Sequence, residues 1–222
     1  MKFFSVDGKL FTSFNKMLDI MYLNILWILF SLPIITIGAS TTAAFQLAMK
    51  MVNDEEGYIG RSFVKAFKEN FKQSTIVWII MALLGEVLYI NYQLLGNLKS
   101  APTILYVVTI IATFLYIIVF IAVFPLIARY ENTLKQTLIN SYMITVRHLG
   151  HTVGMLILLS IFGFFYIISN ITLIFGSFII PGLLIYIASS CYLKIFQKVE
   201  GAREATIQAK KELEEEKKAR IM

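Results

Sequence analysis

The chain has 222 residues, of which 58% are hydrophobic and only 15% are charged. An average soluble domain is roughly 45 to 50% apolar and roughly 25% charged, so this composition excludes an ordinary soluble protein. The net charge of +6 does not indicate nucleic-acid binding, because a basic excess beside so much apolar sequence is typical of the cytoplasmic side of a membrane protein. The single cysteine, Cys191, excludes an intrachain disulfide and a thiol-rich metal site.

Long uncharged stretches predict the membrane-spanning helices. A helix needs about 20 mostly apolar residues to cross a bilayer, and charged residues are absent from residues 20–49, 100–128 and 148–193. The last stretch is long enough for two spans joined by a turn. The sequence therefore predicts an all-α, polytopic membrane protein, a helical bundle of about five transmembrane segments. The expected spans cover residues 19–37, 75–95, 103–127, 152–172 and 178–196.

The first apolar stretch contains a predicted break. As one helix it would be about 45 Å long, too long for one span and too short for two. Pro33, Gly38 and the hydroxyl cluster Ser40, Thr41 and Thr42 predict that one helix ends there and a second, short helix follows. We favour a first helix that crosses the membrane. The alternative is a re-entrant hairpin bent at Pro33 and Gly38, which would leave the N-terminus in the cytoplasm.

Basic residues lie mostly on one side of the predicted spans. Lys99 is the one basic residue between the second and third spans, whereas several lie before the second span, between the third and fourth, and after the fifth. This positive-inside pattern predicts a multi-pass protein of the cell membrane with a cytoplasmic C-terminus. Residues 1–200 are then one integral membrane domain, and residues 201–222 are a charged cytoplasmic tail.

Two amphipathic segments between the spans predict cytoplasmic surface helices over residues 59–72 and 131–147. The first segment places an aromatic stripe among basic residues, which is typical of a helix at the inner leaflet. This helix either anchors the loop between two spans or docks a partner protein. The residues that would carry either role are Arg61, Phe63, Lys65, Phe67, Lys68 and Phe71.

Glu86 lies near the centre of the second predicted span, where a charged side chain costs about 2.5 to 3.5 kcal/mol on insertion scales. Tyr89 and Gln93 follow on the same helix face, and Thr109 and Thr113 lie on one stripe of the third span. We take these residues as the candidate intramembrane polar site. A hydrogen-bonded seam between the two helices would accommodate a protonated Glu86, and the alternative is a proton-coupled or substrate-contacting role.

The sequence contains no P-loop, dinucleotide-binding turn, nucleophile elbow or HExxH motif. We therefore assign no catalytic, cofactor-binding or metal-binding residues and expect a protein that is not an enzyme. Asp54, Glu55 and Glu56 form an acidic triplet, but no oxygen-ligand loop surrounds it. His148 and His151 lack a third zinc ligand nearby and are expected to be interfacial.

Three blocks of sequence carry a resemblance to a known family. They are LWILFSLPIITIGASTTA at residues 26–43, DEEGYIGRSFVKAFKENFKQST at residues 54–75 and FPLIARYENTLKQTLINSY at residues 124–142. Together they resemble the YesL family of small bacterial integral membrane proteins, over about residues 1–200. Members are often encoded beside ABC importer components or polysaccharide-degrading enzymes in Gram-positive bacteria, so the resemblance implies an accessory role in carbohydrate uptake. No functional residues are established for the family, and none is carried over.

Two hypotheses about function lead, and an enzyme acting on lipid or polysaccharide precursors ranks third. The first is a non-enzymatic accessory protein of an ABC-type carbohydrate uptake system, whose partners would be the lipid bilayer and the importer's permease or ATPase subunits. The second is a small autonomous transporter or channel subunit that uses Glu86, because interrupted helices mark binding sites in many transporters.

Overall fold

The computed structural model describes residues 9–98, 102–168 and 176–221, and almost all of them are helical. A short 3-10 helix, Ile34–Thr36, separates the first two α-helices. Within the described ranges no strand occurs, and the prediction of an all-α protein is confirmed. The α-helices are α1 (Lys9–Ser31), α2 (Ile37–Val52), α3 (Ile59–Asn97), α4 (Thr103–Arg129), α5 (Leu134–Arg147), α6 (Leu149–Ile168) and α7 (Ile180–Ile221).

Three helices are long and apolar enough to cross a membrane, namely α3, α4 and the Ile180–Glu212 part of α7. A fourth span is possible if α5 and α6 count together, although a bend of 95° separates them. The prediction of a polytopic helical membrane protein is thus confirmed, whereas the count of five spans stays a prediction. The end of the expected fourth span, residues 169–172, lies outside the described residues.

The first apolar stretch breaks at Pro33, as the sequence predicted, but Gly38 and the hydroxyl cluster lie inside α2 and not at the break. α1 ends at Ser31, and Pro33 adopts an extended conformation before the 3-10 turn. Proline cannot donate a helical hydrogen bond and disfavours a helical residue before it. The Thr36 hydroxyl lies 2.6 Å from the carbonyl oxygen of Phe30 and 2.7 Å from that of Pro33. It therefore satisfies a carbonyl group that the helix end leaves free.

After the break, α2 returns alongside α1. Ser40 donates a hydrogen bond to the Trp27 carbonyl at 2.8 Å, and the Trp27 indole donates to Thr41 at 3.1 Å. Further from the break, Lys16 forms an ion pair with Asp54. These contacts are placed almost symmetrically about the break, so α1 and α2 are the arms of a helical hairpin. We call it the first hairpin.

The tip of the first hairpin is apolar and uncovered. Leu32 and Ile34 are 72% and 73% exposed, and Ile35 is exposed as well. The 16 residues of α2 span about 24 Å, less than the roughly 30 Å hydrocarbon core of a bilayer. An uncharged tip and an arm of this length favour the re-entrant alternative over a first helix that crosses the membrane.

The other helices pack around α2, which contacts α1, α3, α4 and α7. Its buried residues are mostly small, and small residues allow helix backbones to approach closely. A Cβ atom at Gly38 would lie 2.5 Å from both the Ser74 carbonyl oxygen and the Trp78 Cβ. Ser74 also donates a hydrogen bond to Thr42 at 2.8 Å. Glycine is therefore required where α2 crosses α3.

The predicted surface helix over residues 59–72 and the predicted second span form one helix. α3 has 39 residues and is about 58 Å long. The basic amphipathic segment is therefore the direct continuation of the span, which corrects the expectation of a separate helix on the membrane surface. The charged tail predicted from residue 201 likewise belongs to α7, which is helical through Ile221.

The second predicted surface helix is not free on the surface, because α5 packs along α4. It begins with a capping box between Thr133 and Gln136. The Thr145 hydroxyl lies 3.3 Å from the Ile118 carbonyl oxygen of α4. The buried residues of α5 are Thr137, Ser141 and Thr145, and its exposed apolar residues are Ile139, Tyr142, Met143 and Val146. Inward hydroxyl groups and outward apolar groups suit a helix that meets lipid.

Replacing Gly38 by alanine tests the tight contact between α2 and α3. We expect Gly38→Ala to destabilise the protein by about 1 to 3 kcal/mol, because its Cβ would overlap the α3 backbone. Thermal unfolding in detergent measures the effect. Gly163→Ala on α6 is the matched control, since a Cβ there meets no atom within 4 Å. Equal melting temperatures for the two variants would contradict the packing described.

Labelling from one side of the membrane tests the first hairpin. In a Cys191→Ser background, Met17→Cys and Glu55→Cys should react with an impermeant maleimide from the same side, since Lys16 and Asp54 are in contact. Leu98→Cys should react from the opposite side, because α3 separates it from Glu55. Labelling of Met17→Cys and Glu55→Cys from opposite sides would show that the first hairpin is wrong.

Candidate functional site on the polar faces of α3

A hydrogen-bonded seam joins α3 to α4 near their connection. Tyr92 donates to the Thr113 hydroxyl at 3.0 Å, because the Thr113 hydrogen is given to the Thr109 carbonyl. The Thr109 hydroxyl lies 3.4 Å from the amide oxygen of Asn91. Thr109 and Thr113, both assigned to the candidate site, therefore lie in this seam.

Sequence reasoning missed the α3 side of the seam, Asn91 and Tyr92. One signal was available, because Gly85 lies on the same side of α3 and faces the Tyr116 hydroxyl of α4. A glycine among large apolar residues marks a face where another helix comes close.

Glu86 lies on the opposite side of α3 from the seam. Leu95 faces α4 and accepts a hydrogen bond from Tyr106, and Glu86 is about 180° away from it around the helix axis. Glu86 is exposed and makes no hydrogen bond or ion pair with any residue that the structure describes. The predicted polar site is therefore divided between two faces, and the seam does not accommodate Glu86 as expected.

Tyr89 and Gln93 share the outward face with Glu86. The Gln93 amide donates to the Tyr89 hydroxyl at 3.0 Å, and Tyr89 is 59% exposed. We call Glu86, Tyr89 and Gln93 the outer polar stripe. In lipid, polar groups on a helix surface are costly unless another polar group meets them. No helix in the described part of the chain meets this stripe, so its chemistry is suited to hydrogen bonding with a further helix.

The predicted docking residues also divide into a group that packs inside the protein and a group that stays exposed. Phe63 is fully buried, and its ring lies 5.3 Å from that of Phe30 on α1. The Phe67 ring lies 4.9 Å from the same Phe30 ring. These two residues hold α3 to the first hairpin, which corrects the expectation that they contact a partner. The residues that remain exposed are Arg61, Lys65, Lys68 and Phe71.

Ion pairs connect α4 with α7 and the start of the first hairpin with its end. Arg129 donates two hydrogen bonds to the Glu200 carboxylate at 3.1 and 3.0 Å, and Tyr130 donates a third at 2.8 Å. Burial, followed by the hydrogen bond to Glu200, raises the pKa of Tyr130. Burial alone would lower the pKa of Lys16, but the hydrogen bond to Asp54 and the neighbouring acidic groups outweigh it, so this pKa is raised.

Metal ligands are not gathered at any point of the described chain. No group of three or more His, Cys, Asp or Glu residues there could hold a metal ion. In the acidic triplet, Asp54 and Glu56 are both within ion-pair distance of Lys16. This contact gives two of the triplet residues a structural role at the base of the first hairpin.

Glu200 offers a test of the contact between α4 and α7. We expect Glu200→Gln to destabilise the protein by about 1 kcal/mol, because it removes the carboxylate charge from a bidentate but partly exposed ion pair with Arg129. Thermal unfolding in detergent at low and high salt measures this effect, and the difference should shrink as salt rises. Glu204→Gln, on the exposed part of α7, is the control. If both variants change the melting temperature equally at each salt concentration, the ion pair does not contribute to stability.

Comparison with known proteins finds a family of unknown function and an uncharacterised relative. Residues 20–92 match the sequence profile of a family described as "Protein of unknown function, DUF624". The chain is 24% identical over 186 residues to "Uncharacterized protein YteU" of Bacillus subtilis (strain 168), an alignment that covers 80% of this chain and 79% of that protein. No solved structure matches the chain. The matched segment runs from within α1 to the seam of α3, so the similarity includes Glu86 and the first hairpin from Ile20 onward.

Proposed function

We propose that the protein is a non-enzymatic accessory subunit of an ABC-type carbohydrate uptake system in the cell membrane, with its C-terminal helix in the cytoplasm. The observation that carries this proposal is the outer polar stripe, a row of polar residues on a membrane helix that no described helix covers. The choice of a carbohydrate uptake system rests on the resemblance to the YesL family. The similarity to proteins without a described activity fits a role outside catalysis.

The outer polar stripe indicates a protein partner, because lipid chains cannot form hydrogen bonds with its side chains. Glu86 lies between exposed apolar residues of α3, such as Leu83 and Ile90. A carboxyl group at that depth costs several kcal/mol unless it is protonated or paired. A hydrogen bond between membrane helices contributes about 0.6 to 2 kcal/mol, so a partner helix with donors at this level would recover part of the cost.

The basic residues of α3 lie on the same face as the stripe. At 3.6 residues per turn, Lys68 lies about five full turns before Glu86, and Arg61 lies about seven turns before it. Both basic side chains are exposed. One continuous face of α3 therefore offers positive charge at one end and hydrogen-bonding groups within the membrane. This pattern is suited to a partner helix that has an acidic segment outside the membrane and a polar residue inside it.

A small transporter or channel that uses Glu86 is the second candidate. Glu86 faces away from the other described helices, so a single copy does not line a path along this residue. Several copies arranged around their Glu86 faces would form such a path. This candidate therefore requires a defined homo-oligomer.

Affinity purification distinguishes the two candidates. The tagged protein is recovered in mild detergent from cells grown with and without complex sugars, and its partners are identified by mass spectrometry. We expect near-stoichiometric permease or ATPase subunits with the wild type. The variants Glu86→Leu and Lys68→Glu should each lower that recovery about tenfold, the equivalent of losing one charge-assisted contact.

Two control substitutions on the exposed part of α7 have the same chemistry, Glu204→Leu and Lys210→Glu. Both should leave partner recovery unchanged. Equal recovery with the α3 variants would argue against the α3 face as the contact. Recovery of the protein alone, as an oligomer that Glu86→Leu dissociates, would replace the accessory role with the second candidate.

A further inference from the structure

A cavity of about 760 Å³ lies between α6 and the helices α2, α4 and α7, and α1 and α3 each contribute one residue to its wall. Its lining is almost entirely apolar and includes both tryptophans of the chain, Trp27 and Trp78, with Phe45 and Phe120. Its volume is within the roughly 300 to 1,000 Å³ of typical ligand sites. The cavity does not include the outer polar stripe or the basic face of α3.

The space exists because α6 stands away from the other helices. α6 meets α5 at the bend of 95° and presents glycines toward the cavity. A Cβ atom at Gly150 or Gly154 would meet no atom within 4 Å. An unfilled apolar space of this size forfeits dispersion contacts and does not attract water. In a membrane, the hydrocarbon chain of a neighbouring lipid can fill this space.

A group of basic residues lies near one border of the cavity. His151 lines the cavity, and its ring centroid lies 6.2 Å from that of His148. Burial, followed by the charges of Lys198, His151 and Arg147, lowers the pKa of His148, so Arg147 and Lys198 carry the positive charge of this group. None of these four residues, which we call the basic cluster, forms an ion pair with a carboxylate in the described part of the chain.

The start of α6 adds to this positive potential. The helix begins at Leu149, directly after His148, and has no acidic residue in its first turn. The free backbone N–H groups and the dipole of a helix N-terminus favour a bound anion. The basic cluster and this helix end together are suited to a phosphate group.

Tyr192 gives independent support for a polar ligand. It is 3% exposed and lines the cavity, yet its hydroxyl makes no hydrogen bond to any described residue. The residue as a whole is largely buried, and a hydroxyl left without a hydrogen bond in such surroundings costs about 1 to 3 kcal/mol. An ester or phosphate oxygen in the cavity would accept its hydrogen.

We propose that this cavity binds a membrane lipid with a phosphate head group. The hydrocarbon chain lies among the aromatic residues between α6 and the bundle, and the phosphate lies against the basic cluster and the start of α6. Glycerophospholipids and polyprenyl phosphates share this chemistry. The proposal does not depend on the accessory role, because it uses other residues and another part of the fold.

The two tryptophans allow a direct measurement. The purified full-length protein in neutral detergent is titrated with lipids that carry brominated chains, which quench tryptophan fluorescence on contact. Brominated phosphatidylglycerol is compared with brominated diacylglycerol, and brominated polyprenyl phosphate with brominated polyprenol. We expect saturable quenching by at least one phosphate lipid, with an apparent affinity about tenfold higher than that of its neutral counterpart. The pair that shows the difference identifies the source of the phosphate.

Matched variants locate the site. Gly154→Leu fills the cavity and should abolish saturable quenching, whereas Gly163→Leu, on the same helix with open space around it, should not. Arg147→Gln combined with His151→Gln should weaken phosphate-lipid binding about tenfold and leave the neutral lipid unaffected. Arg203→Gln is the charge control.

Alkylation of Cys191 provides a second readout. This residue lines the cavity and is the single cysteine of the chain, so a bound lipid should slow its reaction with maleimide. Equal affinity for phosphate and neutral lipids would overturn the proposed head-group site. Equal quenching of Gly154→Leu and Gly163→Leu, with no protection of Cys191, would overturn the proposed cavity site.

Discussion

The close approach of α2 to α3 at Gly38 is the contact on which the arrangement of the bundle depends. Without a side chain at this position, the backbone of α2 reaches the Ser74 carbonyl and the Trp78 side chain directly. The small residues that follow keep α2 in contact with four neighbouring helices. Lipid provides little hydrophobic drive between apolar helices, so close packing and short hydrogen bonds such as that from Ser74 to Thr42 carry much of the stability.

Much of the fold could be predicted from the sequence, because the signals were local. Pro33 ended a helix, and the uncharged stretches were long enough to span a membrane. The faces of the helices were harder to assign, because helical periodicity shows which residues share a side but not which side meets a neighbour. The aromatic residues at the start of α3, such as Phe63, suit packing on α1 as well as docking a partner. Only the tertiary contact between Phe63 and Phe30 distinguishes these two roles.

The candidate site shows the same limit. Glu86 and Thr109 were both assigned to one polar site, but they lie on helix faces with different roles. Thr109 is turned toward α3, whereas Glu86 is turned away from α4. A sequence pattern identified the polar residues of each helix, but the rotation of α3 about its axis is fixed by Gly85 and Leu95 against α4. The cavity beside α6 left no trace in the sequence apart from the glycines that line it.

The first hairpin also bears on how the chain enters the membrane during synthesis. Its two ends meet at Lys16 and Asp54, and the exposed side chains of its tip are apolar. A hairpin of this kind can be inserted from one side as a preformed unit, because no hydrophilic segment has to pass through the hydrocarbon core. With both ends of the hairpin on one side, the short connection between α3 and α4, which holds the single charge of Lys99, would be the next polar segment along the chain to cross. Translocation of that connection would occur only after α2 is available as the surface on which α3 packs.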